Sequence, residues 1–281
     1  MMEVPRTFPA GCPRGTYLCF IALGAVLLFA LYLLQFSSAN NSALLLFFSS
    51  PPNSSPSLHA EIAELRKEQQ SHQAQMRALR ALLGALSCKV QGVGPTGGFC
   101  LSVESPGESP GLNKVDEGYA KVLGELFAGQ SVLDVGTGLG NYGRWFKEHA
   151  PTVAWTGVDG AENIEEVTGG WVKFADFTEE LRLPKADWVM SIEVGEHLPK
   201  QFEDVFVDNL CGLAKAGVVV TWARPGQLGY AHVNEKSFED VKQMFVSRGM
   251  SPDEGTGQRL REVAGVPWLE TNTQVFRWER T

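Results

Sequence analysis

The stretch MSIEVGEHLPKQF, Met190–Phe202, ends an apolar run at Glu193 and then sets Glu196 and His197 three and four residues further on. Two carboxylates and an imidazole at that spacing can hold a divalent ion, move a proton, or simply open the helix that follows. A second imidazole, His232 in GYAHVN, comes after a later apolar run. Either histidine has an unperturbed pKa near ~6.5, which suits a group that must accept a hydroxyl proton.

A second constellation lies upstream in VLDVGTGLGNYG, Val132–Gly143. An apolar run ends in Asp134, and Gly136, Gly138 and Gly140 follow in a Gly-x-Gly-x-Gly turn. Glycines there let the backbone turn sharply and approach a ligand closely. Asp159 closes the next apolar run, 19 residues beyond Gly140, where a carboxylate accepts hydrogen bonds from ribose hydroxyls. GLGNYG, Gly138–Gly143, also satisfies G-x-G-x-x-G, so a nicotinamide-dependent oxidoreductase is one reading. Against it, the glycines begin directly after the LD strand end, which shifts that motif into the helix start. A helix-forming segment, Lys114–Phe127, also precedes the first strand.

These residues need a scaffold, and the pattern from Lys114 onward supplies one. SVLDVG (131–136), VAWTGVD (153–159), WVKFAD (171–176), DWVMSIEV (187–194) and GVVVTWA (217–223) read as strands, with NTQVFRWER as the last. Helical stretches such as KQFEDVFVDNLCGLA and KSFEDVKQMFVSRG fall between them. Near-continuous apolar strands separated by helices predict a mostly parallel sheet covered on both faces. Glu193 then stands at the carboxyl edge of the sheet, where such folds bind ligands.

The segment 112–281 resembles class I S-adenosylmethionine-dependent methyltransferases. VLDVGTGLG is similar to their first motif, GVDG to their ribose-binding acid, ADF (175–177) to their adenine-flanking step, and SIEVGEHLP to their fourth-strand motif. The resemblance implies a Rossmann-like α/β fold with a seven-stranded, mostly parallel sheet, and S-adenosyl-L-methionine as cofactor. It implies that Gly136 and Gly138 pass close to the methionine moiety and that Asp134 faces its amino group. By the same resemblance Asp159 takes the ribose hydroxyls, Asp176 the adenine N6, Phe177 lies against the ring, and Glu193 completes the cofactor site. Small-RNA 2′-O-methyltransferases and ubiquinone-pathway O-methyltransferases use a similar E-x-x-E-H for divalent metal, the former with a downstream histidine. Other members carry the motif without metal. Metal binding, acid–base work and a plain helix start all stay open, and His197 and His232 are taken as the catalytic candidates, with no metal assigned.

Composition bounds the rest. The chain has 281 residues, 44% hydrophobic and 20% charged, with a formal net charge of −8. From Leu112 onward there are 17 Lys and Arg against 26 Asp and Glu. No basic cluster appears, which disfavours a nucleic-acid partner. Gly15–Phe36 is 22 residues without a charge; as a helix it would span roughly 33 Å, enough to cross a bilayer. Arg6 and Arg14 precede it, and no charge follows until Glu61. The positive-inside rule predicts a cytosolic tail (1–14) and a type II protein whose catalytic domain is luminal, in the Golgi or endoplasmic reticulum. The length of 15–36 favours an uncleaved signal anchor over a signal peptide cleaved at the small residues Ser37–Ala39.

Residues 37–57, rich in Ser, Pro and Asn, read as an extended stem with N-x-S acceptors at Asn40 and Asn53. Residues 58–87 follow an a/d pattern with seven of nine positions apolar, interrupted by Gln69 and His72, which fits a helical, coiled-coil stem able to self-associate or a single amphipathic helix lying on the domain. Residues 88–111 read as a Gly-rich linker in which Cys88 and Cys100 can close a disulfide in an oxidising lumen. The expected protein is thus a membrane-anchored methyltransferase whose acceptor is unknown, with O-methylation of a small molecule or glycan favoured. A methyltransferase-like scaffold without turnover is the alternative, and the intact glycine turn, Asp159 and Glu193 argue against it.

Overall fold

The computed structural model describes residues 56–91, 93–94, 96–102, 104 and 115–279. The expected anchor at 15–36 and the Ser/Pro/Asn-rich stem lie outside these residues, apart from the last two positions of that stem. Among the described residues no helix is long and apolar enough to cross a membrane. Helix α1, Pro56–Gln91, covers the segment read as a helical stem. The chain divides into two compact units, one ending at Gln73 and one running from Ala74 to Thr281. Leu79, Leu82 and Leu86 in the second unit's part of α1 are exposed, as is Leu65 in the first.

The second unit carries the sheet. Its elements are α2 (Glu117–Leu126), β1 (Ser131–Val135), α3 (Asn141–His149), β2 (Ala154–Asp159), α4 (Ile164–Val167), β3 (Lys173–Phe174) and β4 (Ala186–Ser191). Two 3₁₀ turns, Gly195–His197 and Lys200–Phe202, lead to α5 (Glu203–Leu213), β5 (Ala214–Val220), α6 (Phe238–Val246), β6 (Met250–Pro252), α7 (Glu254–Val263), α8 (Pro267–Asn272) and β7 (Gln274–Trp278). The seven strands lie in the order β3-β2-β1-β4-β5-β7-β6. The β3-β2-β1-β4-β5 pairs are parallel, and β7 runs antiparallel between β5 and β6. The expected Rossmann-like, mostly parallel seven-stranded sheet is therefore present.

Period-two alternation buries both faces. On one side Leu133, Val135, Val189, Val218 and Val220 meet Phe206 and Leu210 of α5 and Phe245 of α6. On the other, Val132, Trp188, Met190 and Val219 meet Tyr119 and Leu123 of α2, Phe146 of α3 and Leu260 of α7. Helices on both faces force the strands to be apolar throughout, which is why they read as unbroken runs.

Several boundaries differ from the sequence reading, three of them with a physical reason. The run 171–176 yields only the two-residue edge strand β3. Val172 instead enters a small core with Ala161 and Ile164, and the Trp171 indole donates to the Gly140 carbonyl. Strand β4 stops at Ser191, because Glu193 takes a φ of 53° that no strand accommodates. Strand β5 starts at Ala214, directly off α5.

Candidate functional site

Strands β1, β2 and β4 end side by side, and a cleft open to solvent lies beyond their carboxyl ends. The loop after β1 contributes Gly136, Thr137 and Gly138 to its lining; the end of β2 contributes Asp159, and the turn after β4 contributes Glu193 and His197. Gly136 has φ 80°, and a β-carbon there would strike the Val194 side chain. Glycine at 136 is thus required twice, by backbone conformation and by the close approach of the β4 loop.

Asp159 serves the protein as well as the cleft. Its Oδ2 accepts the Gly138 N–H at 2.7 Å and its Oδ1 the Ala161 N–H at 2.9 Å. A carboxylate offers about four lone-pair sites, so acceptor capacity remains for a hydroxyl group of a ligand in the cleft. Burial raises its pKa, and the backbone N–H groups work against that rise.

Glu193 is held from three directions. Its N–H donates to Thr221 Oγ1 at 2.8 Å, while its Oε2 accepts from Gln227 Nε2 at 2.6 Å and its Oε1 from Asn272 Nδ2 at 3.2 Å. These bonds offset a left-handed backbone that costs a non-glycine residue on the order of 1–3 kcal/mol. They also engage both carboxylate oxygens of Glu193 with amide donors, which sets it apart from Glu196.

Glu196 is fully buried, and neither of its carboxylate oxygens has a hydrogen-bond partner of good geometry. Burial, and then the nearby Glu193, push its pKa well above the usual range; its own N–H and that of Ala223 offset this in part. His197 stands beside it, with Nε2 3.9 Å from Glu196 Oε1. The His197 Nδ1 lies 3.3 Å from the Ala231 carbonyl and the His232 Nδ1 3.2 Å from the Gln227 carbonyl. A carbonyl only accepts, so these contacts put the proton on Nδ1 and leave the Nε2 lone pair free on each ring. The rings meet edge to face with centroids 5.0 Å apart. Burial lowers the His197 pKa to about 4, with the neighbouring His232 acting in the same direction. His197 is therefore neutral at physiological pH. Glu196, His197 and His232 each offer a ligand atom, all within 4.8 Å of one another.

Of the sequence-predicted residues, Gly136, Gly138, Asp159, Phe177, Glu193 and His197 line the cleft. Asp134 does not. It is 2% exposed, and its Oδ2 accepts from Thr137 Oγ1 at 2.5 Å and Trp155 Nε1 at 3.1 Å, so it braces the glycine turn from beneath. Burial raises its pKa to about 7. Asp176 also stays out of the lining; its Oδ1 accepts from the Thr178 N–H and hydroxyl at 2.9 and 2.6 Å. His232 is not among the lining residues; it stands behind the cleft wall, against His197 and the Gln227 carbonyl.

The lining also contains residues that sequence reasoning does not find. Thr96–Phe99 and Leu101, from the segment read as a linker, form one wall. The glycines of GPTGG are the available signal, because a linker has no need of so close a backbone approach. Cys100 in the same segment is disulfide-bonded, whereas Cys211 is a buried free thiol. The side chain of Cys88, its expected partner, lies outside the described residues.

No family model matches the chain, and no curated protein matches it. Solved structures do. The CcbJ methyltransferase from Streptomyces caelestis aligns at 13% identity over 66% of this chain and 98% of its own, with a TM-score of 0.48. The methyltransferase of a Haloferax volcanii complex with the Trm112 activator aligns at 13% identity over 59% and 91%, with a TM-score of 0.45. Magnesium protoporphyrin IX methyltransferase from Synechocystis PCC 6803, solved with S-adenosylhomocysteine, aligns at 16% identity over 58% and 79%, with a TM-score of 0.41. At scores below one half these likenesses carry no weight beside the strand order and cleft geometry already described.

Proposed function

We propose that the protein is an S-adenosylmethionine-dependent methyltransferase. The observation that carries this reading is the lining of the cleft. Two carboxylates, Asp159 and Glu193, face it together with the Gly136–Gly138 backbone and Phe177, and no Lys or Arg is among the lining residues. That set suits a ribose, an aromatic base and a cationic sulfonium. A second carboxylate, Glu193, suits a cation near the glycine turn and opposes a pyrophosphate there, which weighs against a nicotinamide dinucleotide. The cofactor would supply an activated methyl group. The chain's part is to align donor and acceptor for in-line transfer, an entropic contribution that can reach roughly 7–11 kcal/mol.

Asp159 would hold the ribose and Phe177 the adenine, while Glu193 stands where the donor's positive charge would lie. For an acceptor hydroxyl, the free Nε2 of His197 is the proton acceptor at the cleft wall, and His232 holds its ring. An oxygen acceptor on a small molecule or glycan is the reading that a neutral His197 at the cleft wall supports. A luminal location agrees with the Arg6/Arg14 flank and with the disulfide at Cys100. Calorimetry with S-adenosylhomocysteine and with NAD tests the reading: binding of the first and not the second is expected, and the reverse result would replace a methyltransferase with an oxidoreductase.

One observation favours a second role for the histidine pair. A buried carboxylate without a well-aligned hydrogen-bond partner, beside two histidine Nε2 atoms, is a donor set that several divalent ions accept. The Nδ1 contacts to backbone carbonyls are those that orient ligating histidines. Chelation would abolish turnover under this role and leave it untouched if His197 acts as a base.

A further inference from the structure

The Gly-rich segment before the α/β domain touches both sides of the cleft. Val93 bridges Phe99, Gly94 donates to the Gly98 carbonyl at 2.7 Å, and Gly97 to the Gly94 carbonyl at 3.0 Å. The resulting hairpin presents two consecutive glycines to opposite walls. A β-carbon on Gly97 would strike the His197 carbonyl, and one on Gly98 the Gly160 carbonyl. His197 belongs to the turn after β4, and Gly160 directly follows Asp159 at the end of β2. The segment thus crosses from one strand end to the other, so close that only backbone fits.

Its far side is anchored. Leu101 is buried with Ala161, Ile164 and Val172, and its carbonyl accepts from Asn163 Nδ2 at 2.8 Å. The Phe99 ring meets His197 edge-on at 4.8 Å. Between these contacts stands Cys100, held in its disulfide.

We propose that Thr96–Leu101 is a strap that completes the methyl-donor site, and that the Cys100 disulfide keeps it seated, so that donor affinity depends on oxidation. The proposal rests on the donor reading above. Gly97 and Gly98 act as positioning residues: they let the backbone lie against both walls and enclose a ligand over the glycine turn. Phe99 continues the wall toward the imidazole. On that side Phe99 and Leu101 pack against Ala161, Ile164 and Val172, and the disulfide adds a covalent tie to these contacts.

The test uses the full chain and S-adenosylhomocysteine as probe. Cys100→Ser and Gly98→Ala should each weaken binding at least tenfold. Dithiothreitol should do the same to the wild type while leaving Cys100→Ser unchanged. Amide exchange at Thr96–Phe99 should slow on addition of the probe in the wild type and not in Cys100→Ser, with β1 and β4 equally protected in both. If Gly98→Ala does not fold, Cys100→Ser and dithiothreitol decide alone. Wild-type affinity in Cys100→Ser, with no ligand-dependent protection of the strap, overturns the proposal and leaves the donor reading intact. A wild type that binds no S-adenosylhomocysteine removes the donor reading and the strap with it.

Discussion

Asp159 Oδ2 and the Gly138 N–H face each other at 2.7 Å, so the acid that ends β2 pins the glycine turn that follows β1. One carboxylate both shapes the turn and presents its remaining lone pairs to the cleft. Charge-assisted hydrogen bonds of this kind contribute about 1.5–3 kcal/mol. Asp159→Ala should therefore weaken S-adenosylhomocysteine binding by roughly ten- to a hundred-fold. Calorimetry on a variant shown by circular dichroism to be folded checks this, and unchanged affinity would take Asp159 out of the site.

Asp134 gives a pH signature. Burial raises its pKa to about 7 in the folded protein, against ~3.9 in an unfolded chain. The folded state keeps this proton where the unfolded state has lost it, so the contribution to stability is fully present below ~4 and disappears as pH rises toward about 7. Asp134→Asn lacks the titration. Each tenfold difference in proton affinity between the two states is worth about 1.4 kcal/mol. The stability of Asp134→Asn relative to wild type should therefore improve by a few kcal/mol between roughly pH 4 and pH 7. Denaturant midpoints across that range would reveal a flat difference if the carboxyl is ionised throughout.

The histidine pair separates two chemistries. As a base, His197 is needed while metal is not: His197→Ala should lose about 10²–10⁴-fold in rate, donor affinity should hold, and chelator should have no effect. As ligands, Glu196, His197 and His232 would make turnover metal-dependent, with protons competing for the same atoms at acid pH. Full activity of both His→Ala variants in chelator would leave Gly195–His197 as a helix entry with no chemical role.

The uncharged stretch Gly15–Phe36 and the Arg6/Arg14 flank predict a luminal C-terminus. In sealed microsomes the C-terminus should resist added protease, and Asn53 is available for a glycan that an endoglycosidase removes. A protease-accessible C-terminus would reverse the orientation.

The sheet is legible because it is covered on both faces, so β1, β4 and β5 announce themselves as unbroken apolar runs. The three residues of β6 offer no such pattern, and α7, with Gly255 and Gly257 inside a polar stretch, shows no apolar stripe. At the site, the residues held by backbone geometry are readable: Gly136, Gly138, Asp159 and Glu193 follow strand ends at fixed spacing. Asp134 and Asp176 match motif positions, and that match alone assigns them to the cofactor. Which way a carboxylate turns depends on neighbours such as Trp155 and Thr178, and spacing says nothing of those. The strap is hidden for a related reason. Its contacts to His197 and Gly160 join segments separated by 60 residues and more, and no local periodicity records them.

The left-handed Glu193 has a consequence for the order in which the protein becomes competent. Its carboxylate is fixed by Gln227 and Asn272, 34 and 79 residues later in the chain. During synthesis, β1 to β5 can assemble before either partner has left the ribosome. Until Asn272 emerges, Glu193 lacks part of what offsets its backbone strain. A chain arrested before that point would own the glycine turn and Asp159 yet hold an unfinished cleft, so the capacity to bind its ligand matures last, with α8 and the strand that follows it.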